Sequence, residues 1–270
     1  MNDTVEVVEY TDLLCGWAWG GEPQLRALRW RFGDRLRWRR ALACMIDIPP
    51  LATPNDDAAF ADSWAKTAGE TATVTGAPWP PRIAPAPRTS VLGSLAVKAA
   101  QHQSDAVAER VARRVRERLY VFGKPSNDVA DLSEAVIGVP GLDSDRLLHD
   151  LDTPAVRAEY DADVEEVRDN SSGFPTLVLR GPAGEHTMSR WHPYEEYQAA
   201  LASVAPETAA HARPDSDAAT VLADLGSATG VDLTLMCGSV VLPPDAVVVD
   251  VGGGPLFLSA DEAEARGIPR

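Results

Sequence analysis

The sequence predicts an α/β fold that is interrupted midway by a helical segment, and two observations lead to this fold class. Strand and helix patterns follow each other as β-α-β over the first 45 residues and return as β-β-α after residue 170. Between them, residues 55–170 have a helical pattern. A chain of 270 residues can bury a sizeable core in one large domain or two small ones.

The first unit begins with a buried strand. Residues 5–10 are rich in β-branched side chains and are followed by a polar pair. Leu25, Leu28 and Phe32 then recur at helical spacing, and residues 35–44 alternate with the period of a second strand. Two strands joined by a helical crossover are expected to be parallel, with the helix on one face of the sheet.

The middle segment is predicted to be helical apart from one loop. Residues 77–87 contain five prolines, which fix the backbone and remove donors, so this stretch should be extended. Helices are expected at residues 56–70, 89–103, 105–122, 127–138 and 153–168. The third of these carries a stripe of arginines that is predicted to be a solvated helix face, namely Arg110, Arg113, Arg114, Arg116 and Arg118.

The last third of the chain returns to strands. Residues 176–191 predict a β-hairpin, and Pro193 opens a helix. Beyond residue 214 we expect an alanine-rich segment at 217–225 and apolar runs at 240–242 and 247–251, after which the glycines at 252–254 can turn a hairpin.

Composition excludes several classes of function. The net charge of −15 argues against nucleic-acid binding, which depends on Lys and Arg. No apolar run approaches the roughly 18 residues of a membrane span, and the first residues do not resemble a signal peptide, so we expect a cytoplasmic protein with no membrane partner. The odd, scattered set of Cys15, Cys44 and Cys237 is typical of a reducing compartment. No histidine pair has metal-ligand spacing, and no motif requires a tightly bound cofactor.

Cys15 is the residue that most clearly indicates chemistry. It follows a predicted strand at the point where a helix should begin, and the unpaired N–H groups of a helix start stabilise a thiolate. This placement predicts a Cys15 pKa below the free value of about 8.5. The alternative is a buried and unreactive cysteine, because free cysteines are among the most buried residue types.

Three motifs occur in an order that is similar to one known family. Residues 8–12 lead into Cys-Gly-Trp-Ala-Trp at 15–19, which resembles that family's strand and Cys-Pro-Trp-Cys motif. Residues 173–176 are similar to its Gly-Val-Pro-Thr loop, and residues 190–194 to the start of its final helix. Over residues 4–203 the chain therefore resembles the DsbA-like thioredoxin-fold family, including its FrnE-like and 2-hydroxychromene-2-carboxylate isomerase-like branches.

The resemblance implies a division of the chain. Residues 1–50 and 170–205 would form a thioredoxin-like domain. Residues 51–169 would be an inserted all-helical domain, and residues 214–270 a small carboxyl-terminal helix-plus-hairpin extension.

The resemblance also implies roles for individual residues. Cys15 matches the attacking cysteine, and Pro175 matches a cis-proline that faces it. A cis bond there would turn the backbone of Phe174 towards the thiol and offer an edge to an extended peptide. Trp17, Phe174, Pro175 and Thr176 are the expected substrate-binding residues, and aromatic walls suit an apolar ligand.

The chief departure from the family is Ala18, which stands where dithiol members have a resolving cysteine. Without that cysteine, a mixed disulfide can be released only by another thiol. Cys44 stands at one of the alternate positions of the second strand that carry apolar side chains, so it is predicted to lie in the core. Cys237 belongs to the carboxyl-terminal extension. Trp19 is expected to pack inward, and His192 is a candidate proton carrier.

These residues favour a monothiol protein that performs thiol-disulfide exchange or thiol-dependent isomerisation. Its partner would be a low-molecular-weight thiol such as glutathione or mycothiol. Two alternatives stay open: a peptide-binding adaptor without turnover, and a natural-product enzyme that binds an apolar small molecule in the cleft.

Overall fold

A four-stranded sheet forms the centre of the computed structural model, which describes residues 4–269. Its strands are β1 (Val5–Thr11), β2 (Leu36–Leu42), β3 (Thr176–Gly181) and β4 (Gly184–Ser189), in the order β2-β1-β3-β4. β1 and β2 are parallel, whereas β3 runs antiparallel to both β1 and β4. The predicted parallel β-α-β unit and the later hairpin are therefore both present.

Two helices of this part of the chain supply its core. α1 (Gly16–Phe32) and α8 (Tyr194–Val204) bury Leu25 and Leu201 in one cluster with Leu177 of β3. The apolar spacing that predicted both helices is what packs them on the sheet.

The segment between β2 and β3 is helical, as predicted. Its helices are α2 (Pro54–Thr75), α3 (Val91–Gln101), α4 (Asp105–Tyr120), α5 (Val129–Ala135), α6 (Ser144–Asp150) and α7 (Pro154–Asn170). α6 is not among the predicted helices and has only seven residues. Five of these helices begin after a side chain that accepts a hydrogen bond from the first turn, namely Thr53, Ser104, Asp128, Asp143 and Thr153.

The carboxyl-terminal segment forms a smaller sheet in the order β5-β7-β6. Its elements are α9 (Pro206–Ala209), α10 (Ala218–Leu225), β5 (Ser227–Thr229), α11 (Gly230–Cys237), β6 (Val247–Val249), β7 (Leu256–Leu258) and α12 (Ala260–Ala265). The predicted hairpin exists between β6 and β7. Its turn contains Gly252, Gly253 and Gly254, as predicted, while residues 240–242 lie outside the strands and Val241 is 73% exposed. The prolines at 243 and 244 follow directly and cannot donate to a ladder.

The carboxyl-terminal segment also packs into the core that α1 and α8 form with the four-stranded sheet. Val221, Leu233 and Phe257 belong to the same buried cluster as Leu28 of α1. In the part of the chain that the structure describes, no helix has the length and apolar character needed to cross a membrane.

α4 corrects the prediction of a solvated arginine face. Arg110 is half-buried, and the other four members of the stripe are buried. Arg113 lies 3.1 Å from Glu22 of α1, 2.6 Å from Glu117 of α4 and 3.3 Å from Asp232 of α11. α4 is enclosed by elements that each supply carboxylates, so its charges are paired inside the protein. Periodicity alone cannot tell such a face from a solvated one.

Candidate functional site

Cys15 lies at the start of α1, directly after the loop that leaves β1. Its backbone N–H donates to the Asp12 carbonyl oxygen at 3.2 Å. The buried Asp12 carboxylate accepts from the N–H groups of Leu14 at 2.7 Å and Met45 at 2.6 Å. These bonds fix the turn that places Cys15 at the N-cap with an extended backbone.

The loop before β3 faces this cysteine. The Phe174–Pro175 peptide bond is cis, and the Cys15 thiol donates to the Phe174 carbonyl oxygen across 3.9 Å. Pro175 is buried against α1, where a Cβ at Gly21 would lie 3.3 Å from its Cγ. The Pro175 carbonyl oxygen accepts from the Arg190 N–H at 2.6 Å. The fold thus brings together two segments that lie 159 residues apart.

The prediction of a lowered Cys15 pKa is wrong. The residue is only 7% exposed, and burial raises the pKa of its thiol above that of a free cysteine. The N–H groups of Ala18 and Trp17 act in the opposite direction, as does the buried Arg116 guanidinium, while the Asp12 charge adds to the rise. The cost of desolvating the thiolate outweighs the stabilising effect of the helix start.

The structure supplies no second thiol at this position. Ala18 is 1% exposed in the first turn of α1. Cys44 is exposed, so its assignment to the core is wrong: β2 ends at Leu42, and strand parity no longer applies beyond it. Cys237 is half-buried at the end of α11, against the core that contains α1. All three cysteines are free.

Aromatic side chains surround the start of α1. Trp17, two residues after the cysteine, is 37% exposed, and Met45, whose backbone N–H donates to Asp12, is 41% exposed. Trp19 packs inward as predicted: its indole N–H donates to the Pro78 carbonyl oxygen at 2.9 Å, and its ring stacks on Tyr120 with centroids 5.6 Å apart.

Three residues near the site are not predicted from the sequence: Met45, Trp79 and Tyr120. The ring centroids of Trp79 and Tyr120 lie 4.7 Å apart, and both residues belong to the segment between β2 and β3. No spacing links them to Cys15. The many prolines around Trp79 predicted a stiff loop, but they did not indicate which part of the protein that loop packs against.

Thr176 and His192 hold local structure. The buried Thr176 hydroxyl donates to the Gly173 carbonyl oxygen at 2.6 Å and so closes the loop that contains the cis bond. The two ring nitrogens of His192 lie 2.7 Å from the Glu196 carboxylate and 3.0 Å from the Ser189 carbonyl oxygen. Both nitrogens are therefore engaged near the start of α8. Substrate binding by Thr176 and proton transfer by His192 stay predictions.

A cavity of about 900 Å³ lies away from the thiol, between α1, α4 and the carboxyl-terminal segment. Its wall includes arginines and carboxylates that already pair with one another, such as Arg113 with Glu22 and Arg114 with Glu262. Cys15 does not line it. Chemistry, and not cavity size, therefore identifies the candidate site. Across residues 4–269 no cluster of His, Cys, Asp and Glu could hold a metal ion.

Comparisons of the sequence give one curated relative. No family model matches the chain. The ClpXP adapter protein SpxH of Shouchella clausii is 25% identical over 210 residues, which cover 72% of this chain and 64% of that protein. The chain thus spans less than two thirds of this relative's length.

Comparisons of the structure give a consistent fold. A protein of Nitrosomonas europaea described as a candidate disulfide isomerase has a TM-score of 0.58 at 18% identity, covering 73% of this chain and 96% of its own. The cytosolic disulfide reductase DsbM of Pseudomonas aeruginosa has a TM-score of 0.57 at 19% identity, covering 76% and 95%. DsbM solved with glutathione has a TM-score of 0.54. At these identities the likeness establishes the fold.

Proposed function

We propose that this chain, which has the DsbA-like thioredoxin fold, performs thiol-disulfide exchange through a single thiol, Cys15. The observation that carries the proposal is the pairing of Cys15 with the Phe174–Pro175 loop while Ala18 occupies the position of a second cysteine. We further propose that the partner is a low-molecular-weight thiol such as glutathione or mycothiol. The glutathione complex of DsbM supports the choice of glutathione.

The exchange takes two balanced steps. The Cys15 thiolate attacks one sulfur of a mixed disulfide between glutathione and a client thiol, takes the glutathionyl group and releases the client as a thiolate. A second glutathione thiolate then attacks the glutathionyl sulfur, which releases oxidised glutathione and restores Cys15. Because burial raises the Cys15 pKa, the rate should increase with pH across the neutral range.

Substrate would lie along the Phe174 backbone and the exposed apolar surface. The N–H of Phe174 has no acceptor among the described residues, and its carbonyl oxygen makes only the long contact with the thiol. An extended peptide or the glutathione backbone can pair there. The exposed ring of Trp17 and the Met45 side chain suit an apolar group next to the reacting sulfur. The same monothiol and surface also suit a thiol-dependent isomerase acting on an apolar small molecule.

A second candidate function is a peptide-binding adaptor that does not turn over. The observation that favours it is the likeness to the ClpXP adapter SpxH. In that case the Phe174 edge would hold a partner segment, and Cys15 would be dispensable. A reducing compartment such as the cytoplasm, in which the three thiols stay free, fits both functions.

The test is removal of glutathione from a glutathionylated peptide, with glutathione or mycothiol as the second thiol. Cys15→Ser should abolish the exchange and leave the melting temperature nearly unchanged. The matched control is Cys44→Ser, which removes an exposed thiol outside the site and should keep full activity. Equal activity of Cys15→Ser and the parent would refute the proposal. If no exchange is detected with the parent and peptide binding survives Cys15→Ser, the adaptor function is correct.

A further inference from the structure

The carboxyl-terminal hairpin reaches the thiol site through the proline-rich loop. In the turn between β6 and β7, the Gly253 carbonyl oxygen accepts from the Trp79 N–H at 2.8 Å. A Cβ at Gly254 would lie 3.3 Å from the Pro78 Cβ. The turn and the loop therefore meet backbone to backbone.

Gly253 is required by this close approach. A Cβ at this position would lie 1.3 Å from the Trp79 carbonyl oxygen, a distance that no side chain can occupy. Any larger residue must push the hairpin and the loop apart. Gly230, in the same extension, has no atom within 4 Å of its Cβ position and is a matched control.

The other side of the loop packs on the start of α1. The Trp79 ring atom Cη2 would lie 3.5 Å from a Cβ at Gly16, the residue next to Cys15. Trp79 is 7% exposed, and its ring lies against Tyr120 of α4. The hairpin turn thus holds the backbone of Trp79, while its indole packs on α1 and α4.

The environment of Cys15 depends on this arrangement. Its burial is the largest cause of its raised pKa. The charged or titratable groups that act on it are Asp12 from the loop after β1 and Arg116 and Tyr120 from α4. These groups are themselves buried, so the cover over the start of α1 is what excludes water.

We propose that the carboxyl-terminal hairpin is a positioning element for the thiol site, which holds the Trp79 indole beside Gly16 and so limits how fast Cys15 reacts. The proposal rests on the proposed function in taking Cys15 as the reacting residue. It assigns residues 247–258 a role in controlling access to the thiol, from a distance of more than 230 positions along the chain.

The experiment measures alkylation of Cys15 by iodoacetamide in the full chain between pH 6 and 10, read by peptide mass mapping. Trp79→Leu should raise the rate at pH 7 by about tenfold, because a thiol pKa lowered by one unit gives about ten times more thiolate. The midpoint of the pH profile should move to lower pH. Gly253→Ala should change both quantities in the same direction, and Gly230→Ala should change neither.

Circular dichroism and thermal melting identify variants that have lost the fold. If Gly253→Ala does not fold, Trp79→Leu and Trp79→Phe carry the test, since both keep an apolar side chain in the loop. A folded Trp79→Leu with the parent's rate and pH midpoint would overturn the proposal, and so would an equal acceleration by Gly230→Ala. No substrate is used, so a failure of glutathione exchange would refute only the proposed function.

Discussion

Replacing Arg113 by methionine should lower the free energy of unfolding by about 3–5 kcal/mol, because three buried carboxylates each lose one of their two arginine partners. Arg113 is 8% exposed and contacts Glu22, Glu117 and Asp232 within 3.3 Å. Its guanidinium also lies 4.7 Å from the Trp19 ring centroid, so methionine keeps an apolar stem at this position but loses the charge and this contact with the ring. The loss should appear in urea unfolding at pH 7.

The destabilisation should shrink in acid. Burial would raise the pKa of Glu117, but Arg266 and Arg113 lower it to about 2, below the ordinary 4.5. A carboxylate with a lowered folded-state pKa stabilises the fold above its unfolded-state pKa, and this stability is lost as the pH falls towards 2. The difference in the free energy of unfolding between the parent and Arg113→Met should therefore be largest at pH 7 and should decrease as the pH falls from about 4.5 to 2.

The control is Arg157→Met. Arg157 and Asp161 form an exposed pair on α7, 3.0 Å apart and each 56% exposed, whose loss should cost less than about 0.5 kcal/mol. If Arg113→Met costs no more than Arg157→Met at pH 7, or if its cost does not change with pH, the buried network is not the source of stability that the structure indicates.

Two further predictions concern the thiols. Limited alkylation at pH 7, followed by peptide mapping, should show that the exposed Cys44 is modified before the buried Cys15. Faster modification of Cys15 would show that the helix start lowers the pKa of its thiol more than burial raises it. Ala18→Cys should form a disulfide with Cys15 under mild oxidation, because residues three apart on a helix have Cβ atoms about 5–6 Å apart and a small adjustment brings them to about 3.5–4.5 Å. A non-reducing peptide map in which the introduced thiol stays free while Cys15 oxidises would contradict the placement of these two positions at one helix start.

The sequence by itself determined the architecture and the two segments that meet at the thiol. Strand and helix periods are local properties, and they predicted β1, α1 and β2 in their order and the hairpin that follows Pro175. The motif at Cys15 and the Phe174–Pro175 motif could be matched because each is short and continuous. Errors in the same stretch arose where an element ended, as at Cys44, just beyond the last residue of β2.

Tertiary structure alone decided which charges are buried and how reactive the thiol is. The arginines of α4 have the spacing of an exposed face, but Glu22 and Asp232 reach them from distant parts of the chain. The helix start at Cys15 was predicted correctly, yet its pKa depends on desolvation, which sums contributions from every segment packed nearby. The contact of Gly253 with Trp79 is of the same kind. Periodicity depends only on a residue and its neighbours in sequence, whereas burial also depends on the distant segments that pack against them.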